Sequence, residues 1–175
     1  MSRFFGNPTQ AGIVVEDLNA AIRYWTETVG AGPFFVIDPV PHLEFTIGRT
    51  PAATPDMRIA LGNWGDMQVE LIEPRGNHDA TWHRFLRDGR RGLHHFSVWT
   101  WDYDAMIAAA FARGETLEVS GKLTAGVRYS YFETRLAGAP LVEVSELTPE
   151  TKAAYDFVRE CARDWDGRDP VRSFG

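Results

Sequence analysis

Residues 10–25, QAGIVVEDLNAAIRYW, predict a short alternating strand, an aspartate and then a helix, and this order decides the fold. Residues 95–110, HFSVWTWDYDAMIAAA, repeat the order in the second half of the chain, with Asp102 in the place of Asp17. Each aspartate precedes its helix, where the carboxylate can accept hydrogen bonds from free amides and interact favourably with the helix dipole. The repeat predicts two copies of one supersecondary unit that share a core.

Strand-like runs, rather than more helix, follow the two predicted helices. The helices are expected to end near Gly30 and Gly114, because glycine is favoured just past a helix C-terminus. Further strands are predicted at residues 34–37, 43–47, 57–61 and 67–72, and at 116–119, 128–133 and 141–145. The predicted fold class is α+β, with paired βαβββ modules forming a cupped mixed sheet and a C-terminal helical tail. We expect a single domain over residues 1–175, with modules at 9–75 and 92–148, a linking helix at 76–91, and the C-terminal helix and tail at 149–175.

Composition and charge narrow the function classes. With 175 residues, of which 44% are apolar and 24% charged, the chain has the balance of a globular protein of one domain or two small modules. A net charge of −6 argues against a nucleic-acid binder, which would need a basic stripe. We find no bilayer-crossing segment and no signal-peptide pattern, so we expect a cytoplasmic protein without a membrane partner. The single cysteine, Cys161, excludes an internal disulfide framework and a thiolate metal cluster.

Side chains of a strand alternate between two faces, so each predicted strand can be divided by parity. In four strands one face is apolar and the other carries a single strong ligand-type residue. These residues are Gln10, Glu70, His95 and Glu143. Gln10 and His95 occupy matching places in the repeat, as do the two glutamates. If the modules face each other, the four side chains converge on one point.

The convergence of these side chains predicts a divalent metal site. An unpaired buried carboxylate costs several kcal/mol, so Glu70 and Glu143 each need a cation, a proton or strong donors. An oxygen-rich set with one imidazole suits an octahedral ion with positions open for a substrate. The candidate ions are Zn²⁺, Co²⁺, Ni²⁺, Mn²⁺ and Fe²⁺, and the predicted ligands are Gln10, Glu70, His95 and Glu143. Taken singly, Gln10 and each glutamate could lie on a solvent-exposed face of the sheet, and His94 could be the metal ligand instead of His95.

Apolar and aromatic residues are predicted to surround the metal and to bind a small-molecule substrate. The predicted substrate-binding residues are Val14, Trp64, Ile72, Ser97, Trp99 and Leu141, with Trp64 and Trp101 at the rim. Such a face favours a hydrophobic carbonyl compound or an acyl thioester over a sugar-like substrate. A local basic cluster is either a solvated helix end or a contact for an anionic substrate tail. Its members are Arg84, Arg87, Arg90 and Arg91.

The sequence resembles the vicinal oxygen chelate superfamily, which includes glyoxalase I, methylmalonyl-CoA epimerase, extradiol dioxygenases and bleomycin-resistance proteins. The resemblance covers about residues 9–148 and is carried by QAGIVVEDL at 10–18, LGNWGDMQVELIEP at 61–74, GLHHF at 92–96 and LVEV at 141–144. The middle two stretches are especially similar to epimerases of the methylmalonyl-CoA type. The resemblance implies the vicinal oxygen chelate fold and association as a homodimer.

The resemblance also implies how the ligand positions are filled. The family's ligand on the first strand corresponds to Gln10, where epimerases would have histidine and eukaryotic glyoxalase I has glutamine. The pair His94-His95 matches the epimerase pattern, in which the second histidine is the ligand. Val14 and Pro74 stand where glyoxalase I has its glutathione-binding arginine and asparagine, so glutathione is not expected as a substrate.

The implied function is that of a metal-dependent isomerase or epimerase, or a lyase, that removes a proton next to a carbonyl and stabilises the enolate. In this hypothesis Glu143 is the principal acid/base and Glu70 its possible partner. Two alternatives stay open. A bleomycin-resistance-like protein would bind a small molecule without catalysis or metal. An iron-dependent dioxygenase would normally use two histidines and one carboxylate, whereas this set has one histidine and two carboxylates.

Overall fold

One mixed sheet of eleven strands and four α-helices make up residues 2–174, the part of the chain that the computed structural model describes. The strands are β1 Gln10–Val14, β2 Phe34–Ile37, β3 His42–Ile47, β4 Thr50–Pro51, β5 Asp56–Trp64, β6 Met67–Arg75, β7 Gly92–Thr100, β8 Leu117–Leu123, β9 Arg128–Phe132, β10 Leu141–Glu146 and β11 Val171–Ser173. The helices are α1 Leu18–Arg23, which continues as a π-helical segment at Tyr24–Val29, α2 Thr81–Arg87, α3 Tyr103–Ala112 and α4 Pro149–Arg163. The predicted α+β class, with a mixed sheet and a C-terminal helix, is confirmed. No helix within this range is both long and apolar enough to cross a membrane.

The two repeated units meet at the centre of the sheet, where β1 and β7 pair in antiparallel orientation. Outward from that pair, the strand order is β6, β5, β2 on one side and β10, β9, β8 on the other. β1 pairs with β6 in parallel orientation, and β7 pairs with β10 in the same way. The halves therefore have matching topology, and their equivalent first strands, β1 and β7, lie side by side.

The hairpin of β3 and β4 crosses to the other half of the molecule. β3 pairs antiparallel with β8, and β4 pairs with β3 at the end of the sheet. The hydroxyls of Thr46 and Ser120 share a 2.8 Å hydrogen bond between β3 and β8. The run at 43–47 is thus a strand, as predicted, but its partner belongs to the second half of the chain.

Both predicted helix starts are confirmed by their caps. Asp17 accepts a hydrogen bond from the Ala20 amide at 2.9 Å, and Asp102 accepts one from the Ala105 amide at 3.2 Å. The first helix extends through its π-helical segment and ends at Gly30, whose φ of 77° lies in the left-handed region that favours glycine.

Three hydrophobic clusters pack on the sheet. One lies under α1 and consists of Leu18, Ile22, Phe34, Ala60, Val69 and Leu71. A second lies under α3 and consists of Tyr103, Ala110, Phe132 and Val144. The third covers the opposite face, which we call the inner face, and includes Val14, Phe45, Met57, Ile59, Leu61, Ile72, Trp82, Phe85, Val119, Tyr129 and Tyr131. Because β3 contributes Phe45 and α2 contributes Trp82 and Phe85, much of the inner face is itself core.

The C-terminal segment closes one side of the inner face. α4 begins after Thr148, which forms a capping box with Thr151, and the helix packs against β5. Tyr155 of α4 stacks on Trp99, with ring centroids 4.2 Å apart. β11 then pairs with the edge strand β2, and Phe174 packs against the inner cluster. The tail is therefore part of the walls around the inner face.

Candidate metal centre

Four neighbouring strands carry the predicted metal ligands on the inner face. The strands β6, β1, β7 and β10 lie side by side and hold, in that order, Glu70, Gln10, His95 and Glu143. In the two ladders of β1, Gly12 pairs with Glu70 on one side and with His95 on the other. The pleat of these central strands therefore brings side chains from distant parts of the sequence to one place.

The His95 imidazole contacts both carboxylates. Its Nε2 is 3.5 Å from Oε2 of Glu70 and 3.2 Å from Oε2 of Glu143. Ligands about 2.1 Å from one ion are about 3.0 Å apart in an octahedron and about 3.4 Å apart in a tetrahedron. The observed separations are close to those of adjacent ligands. Even so, residues 2–174 contain no three His, Cys, Asp or Glu side chains already arranged as a metal cluster.

Gln10 is held in place by a second buried amide. Its Nε2 donates a 2.7 Å hydrogen bond to Oε1 of Gln68 on the neighbouring strand. The amide nitrogen is thus engaged, which leaves the carbonyl oxygen of Gln10 as the atom able to ligate a cation. Gln10, Glu70 and Glu143 all line one cavity.

One oxygen of Glu143 is buried without a hydrogen-bond donor. The 3.2 Å contact of its Oε2 with His95 satisfies the distance of an ion pair but not the direction of a hydrogen bond, so this atom has a charged neighbour but no hydrogen bond. A buried carboxylate needs a cation or strong donors beside it, and a divalent ion bound here would meet that need. Two carboxylates, an amide oxygen and an imidazole nitrogen form a donor set that fits a divalent ion.

The imidazole and the carboxylates determine one another's charge. Burial lowers the pKa of His95, but the contacts with Glu143 and Glu70 outweigh it and raise that pKa to about 9. Burial raises the pKa of Glu70, against the lowering effect of His95. Without a metal, the imidazole is therefore protonated at neutral pH. A divalent cation bound here would take the place of that proton.

Gly12 makes room for the His95 ring, and the sequence interpretation gave it no role. A Cβ built on Gly12 would lie 1.8 Å from Cε1 of His95 and 2.3 Å from each ring nitrogen. The imidazole therefore lies directly across the backbone of β1, where only glycine leaves space. A glycine in the middle of a strand is a sequence signal of such a close approach.

A β-bulge at His94 brings both histidines to the inner face. Gly12 pairs with His95 while Ile13 pairs with Leu93, so His94 is the extra residue. Nδ1 of His94 is 3.1 Å from Nδ1 of His95, and Nε2 of His94 is 3.3 Å from the Thr81 hydroxyl. Burial, and then the positive charge of His95, hold the pKa of His94 well below its ordinary value.

This hydrogen-bonded series orients the inner imidazole. When Nδ1–H of His95 donates to Nδ1 of His94, Nε2–H of His94 donates to Thr81. Nε2 of His95 is then the atom directed at the carboxylates. Partners behind a histidine commonly fix its tautomer and ring orientation in this way. The structure therefore places His95 at the carboxylates and His94 behind it, against the alternative in which His94 replaces His95.

The cavity beside the carboxylates has a volume of about 270 Å³. Its polar wall is formed by Gln10, His42, Glu70, Glu143, Ser145 and Thr151. Its apolar and aromatic wall includes Ile37, Val40, Met57, Ile59, Leu61, Ile72, Trp82, Leu123, Val127, Tyr129, Tyr131, Tyr155 and Phe174. A mostly apolar pocket with a few converging polar groups is typical of small-molecule sites.

Of the predicted substrate-binding residues, the structure places only Ile72 on the wall of this cavity. Val14 and Ser97 are fully buried in the packing of the sheet. Trp99 is covered by Tyr155 of α4, which takes the wall position instead. None of these three side chains lines the cavity, and for Trp99 the covering residue is Tyr155.

The remaining two predicted substrate-binding residues lie elsewhere. Trp64 is at the β5–β6 turn, 62% exposed, and its ring packs edge-on against Trp25 at 5.8 Å. Leu141 lines a second cavity, which shares no lining residue with the first. Trp101, predicted at the rim, is 61% exposed and does not line the first cavity.

The sequence profile of the Glyoxalase/Bleomycin resistance protein/Dioxygenase superfamily matches residues 9–132, which span both repeated units up to β9. The chain belongs to this superfamily. The resemblance to the vicinal oxygen chelate proteins, which carry this fold, is thereby confirmed. No curated protein matches the chain in sequence.

Solved structures share the fold of this superfamily member. Methylmalonyl-CoA epimerase from Mycobacterium tuberculosis is 21% identical, with a TM-score of 0.59 over 87% of this chain and 95% of its own. A Streptomyces coelicolor methylmalonyl-CoA epimerase variant in complex with 2-nitronate-propionyl-CoA is 18% identical, with a TM-score of 0.57 over 82% and 95%. A hypothetical protein from Bacillus halodurans is 16% identical, with a TM-score of 0.60 over 81% and 94%. At these identities the likeness shows the fold alone.

Each arginine of the basic cluster of this superfamily member forms an ion pair with an acid of the chain. Arg84 pairs with Glu118 and Asp79, and Arg87 pairs with Asp79. The same holds for the other two members. Arg90 pairs with Asp88, and Arg91 with Glu16.

Tyr131 is a further residue at the centre that the sequence interpretation missed. Its hydroxyl is 3.4 Å from Nε2 of His95, and its ring lies edge-on to that imidazole at 4.8 Å. Burial, and then the charge of Glu143, raise the pKa of the phenol well above its ordinary value, so the hydroxyl stays protonated and can donate. The signal in the sequence was the alternation Tyr129-Ser130-Tyr131, which puts two phenols on one face of β9.

Proposed function

We propose that the protein is a divalent-metal-dependent isomerase or epimerase, or a lyase, that removes a proton next to a carbonyl group and stabilises the resulting enolate. The proposed substrates are hydrophobic carbonyl compounds or acyl thioesters. One observation carries the proposal: two carboxylates that line a mostly apolar cavity both contact one buried imidazole. Superfamily membership and the fold of the epimerases support an enzyme of this kind.

The proposed metal ligands are Gln10, Glu70, His95 and Glu143, and the ion is Zn²⁺, Co²⁺, Ni²⁺, Mn²⁺ or Fe²⁺. When bound, such an ion acts as a Lewis acid towards a carbonyl oxygen and stabilises negative charge there. The chain's contribution is to hold the donors in place. Gly12 leaves space for the imidazole, His94 fixes its ring, and Gln68 fixes the Gln10 amide.

We assign proton transfer to the two glutamates. Glu143 borders the cavity, and its Oε2 contacts His95 without a directed hydrogen bond, so it is the proposed principal acid/base. Glu70 lies on the other side of His95, at the place related to Glu143 by the internal repeat. Two carboxylates on opposite sides of a substrate could remove a proton from one face and return it to the other. The apolar wall would keep water away from the carbanion.

The test combines metal analysis with solvent exchange. Purified protein should contain about one equivalent of divalent metal, and it should exchange the α-protons of a ketone substrate for deuterium. Glu143→Gln should lower exchange at least 100-fold while the fold is retained. Glu44→Gln, which changes an exposed glutamate of β3, is the matched control and should exchange at the parent rate. Unchanged exchange in Glu143→Gln would contradict the assigned role.

A second candidate function is small-molecule binding without catalysis, and the aromatic lining of the cavity favours it. In that case ligands would bind equally well with and without metal, and Glu143→Gln would leave binding unchanged. An iron-dependent dioxygenase is the less favoured reading, because His94 lies behind His95 and the centre offers one imidazole and two carboxylates. We further propose a homodimer, as the superfamily resemblance implies; light scattering of the purified protein tests it.

A further inference from the structure

The cavity beside the proposed metal ligands has no lysine or arginine among its described lining residues. From this and from its size we infer that the substrate is an uncharged, largely apolar carbonyl compound of about ten to twelve heavy atoms, and not a carboxylated acyl thioester. The inference rests on the proposed function and narrows it to one substrate class.

The charge of the site argues against an anionic substrate. Glu70 and Glu143 together supply two negative charges, which balance one divalent cation. No positive charge is left over for a carboxylate brought by the substrate. His42 is the one imidazole on the described wall, and burial lowers its pKa, so it is neutral at pH 7. An anion in this cavity would be desolvated without a partner, which is strongly unfavourable.

The size of the cavity sets the size of the part of the substrate that it encloses. An apolar cavity of about 150 Å³ holds one benzene ring of six heavy atoms. This cavity measures about 270 Å³, nearly twice as much. It therefore accommodates an aromatic or branched ring system with a short carbonyl-bearing chain.

The described wall of the cavity offers a large anionic cofactor tail no lysine or arginine to contact. Its wall ends at exposed Pro41 and Ala125, and α4 and Phe174 close another side. The side closed by α4 and Phe174 comes from residues beyond 132, where the match to the superfamily profile ends. The arginines of the basic cluster border the separate second cavity or the surface, and all four are paired with acids of the chain. A phosphorylated tail leaving the first cavity would meet no unpaired cation of that cluster.

The experiment compares two probes of nearly equal size on metal-loaded, full-length protein. 2-Hydroxyacetophenone is neutral and phenylglyoxylate is anionic, and both carry two neighbouring oxygens beside a phenyl ring. Calorimetric titration should show that the neutral probe binds at least tenfold more tightly. Propionyl-CoA, the third probe, should bind more weakly than 2-hydroxyacetophenone.

A pair of variants tests the cause of the preference. Leu123→Arg introduces a cation at a half-buried position of the wall, and Leu123→Met keeps the position apolar. The arginine variant should bind phenylglyoxylate at least tenfold more tightly than the methionine variant does. Thermal unfolding checks that both variants are folded.

Several outcomes would overturn the inference. One is that the parent protein binds phenylglyoxylate or propionyl-CoA as tightly as 2-hydroxyacetophenone, or more tightly. Another is that 2-hydroxyacetophenone does not bind at millimolar concentration. The third is that folded Leu123→Arg binds phenylglyoxylate no more tightly than Leu123→Met does. Deuterium exchange at the hydroxymethyl carbon of 2-hydroxyacetophenone tests the proposed function separately. Tight neutral binding without exchange would overturn the proposed function and leave the substrate class standing.

Discussion

A methyl group added at Gly12 would collide with the His95 imidazole, and the consequence can be worked out from the distances. The new Cβ would be 1.8 Å from Cε1, whereas carbon atoms in contact are about 3.5–4.0 Å apart. The ring would have to retreat by about 2 Å. Metal–ligand distances tolerate deviations of only about 0.2 Å. Gly12→Ala should therefore remove His95 from the metal and lower Zn²⁺ affinity by at least about 100-fold.

The same substitution should also reduce stability, because His95 is completely buried and has no empty space to enter. Overpacking a core of this kind costs about 1–3 kcal/mol. The cost should disappear when the ring is gone, so Gly12→Ala should be nearly neutral in a His95→Ala background. Calorimetric Zn²⁺ titration and urea unfolding of the two single variants and the double variant measure both effects.

Gly62→Ala is the matched control. Its Cβ would collide with the Phe34 ring at 2.7 Å, in the cluster under α1 and away from the proposed centre. It should lower the free energy of unfolding and leave Zn²⁺ affinity of the folded protein unchanged. The reasoning is refuted if Gly12→Ala binds Zn²⁺ within threefold of the parent, or if it destabilises the His95→Ala protein as much as it destabilises the parent.

Three further predictions concern the surroundings of the centre. Thr81→Val removes the hydroxyl partner of His94. The affinity for Zn²⁺, measured by calorimetric titration, should fall by about tenfold. An unchanged affinity would mean that this contact does not orient the imidazoles. Burial lowers the pKa of His42 below its ordinary 6.5, so its contribution to stability is complete above pH 6.5 and is lost as the pH falls towards the folded-state pKa. The free energy of unfolding, measured by urea titration from pH 7.5 to 5, should therefore decline less in His42→Phe than in the parent, and equal slopes would contradict the sign. Tyr155→Ala deletes the ring stacked on Trp99 at 4.2 Å. It should lower the free energy of unfolding, measured with urea, by about 3 kcal/mol. A loss below about 1 kcal/mol would show that α4 contributes little to the packing of the inner face.

The repeat and the parity of its strands were readable from the sequence because both follow from local geometry. An aspartate before a helix satisfies the helix's own amides, so Asp17 and Asp102 could be assigned as caps without knowing the partners of the sheet. Alternation along a strand likewise needs only the pleat. The approach of His95 to Glu70 and Glu143 is therefore as expected, whereas their role as metal ligands stays a prediction.

The features that the sequence left undecided lie where distant segments meet. The run at 43–47 is a strand, yet its pairing with β8 depends on contacts across the whole chain. Trp99 was expected beside the substrate because of its parity, but Tyr155 from α4 covers it. Trp64 was expected at the rim, but the β5–β6 turn carries it to an exposed position. No local pattern specifies which element will cover a given face.

The sequence alone determined the two-unit architecture, the helix starts and the set of polar residues on the inner face, because periodicity and capping act over a few residues. Tertiary structure alone decided three things about the candidate site. The bulge places His94 behind His95, Gly12 leaves the space in which the imidazole lies, and α4 with Phe174 bounds a cavity that has no lysine or arginine among its described lining residues. Each depends on packing between residues far apart in the chain, and such packing is fixed only when all the elements are assembled.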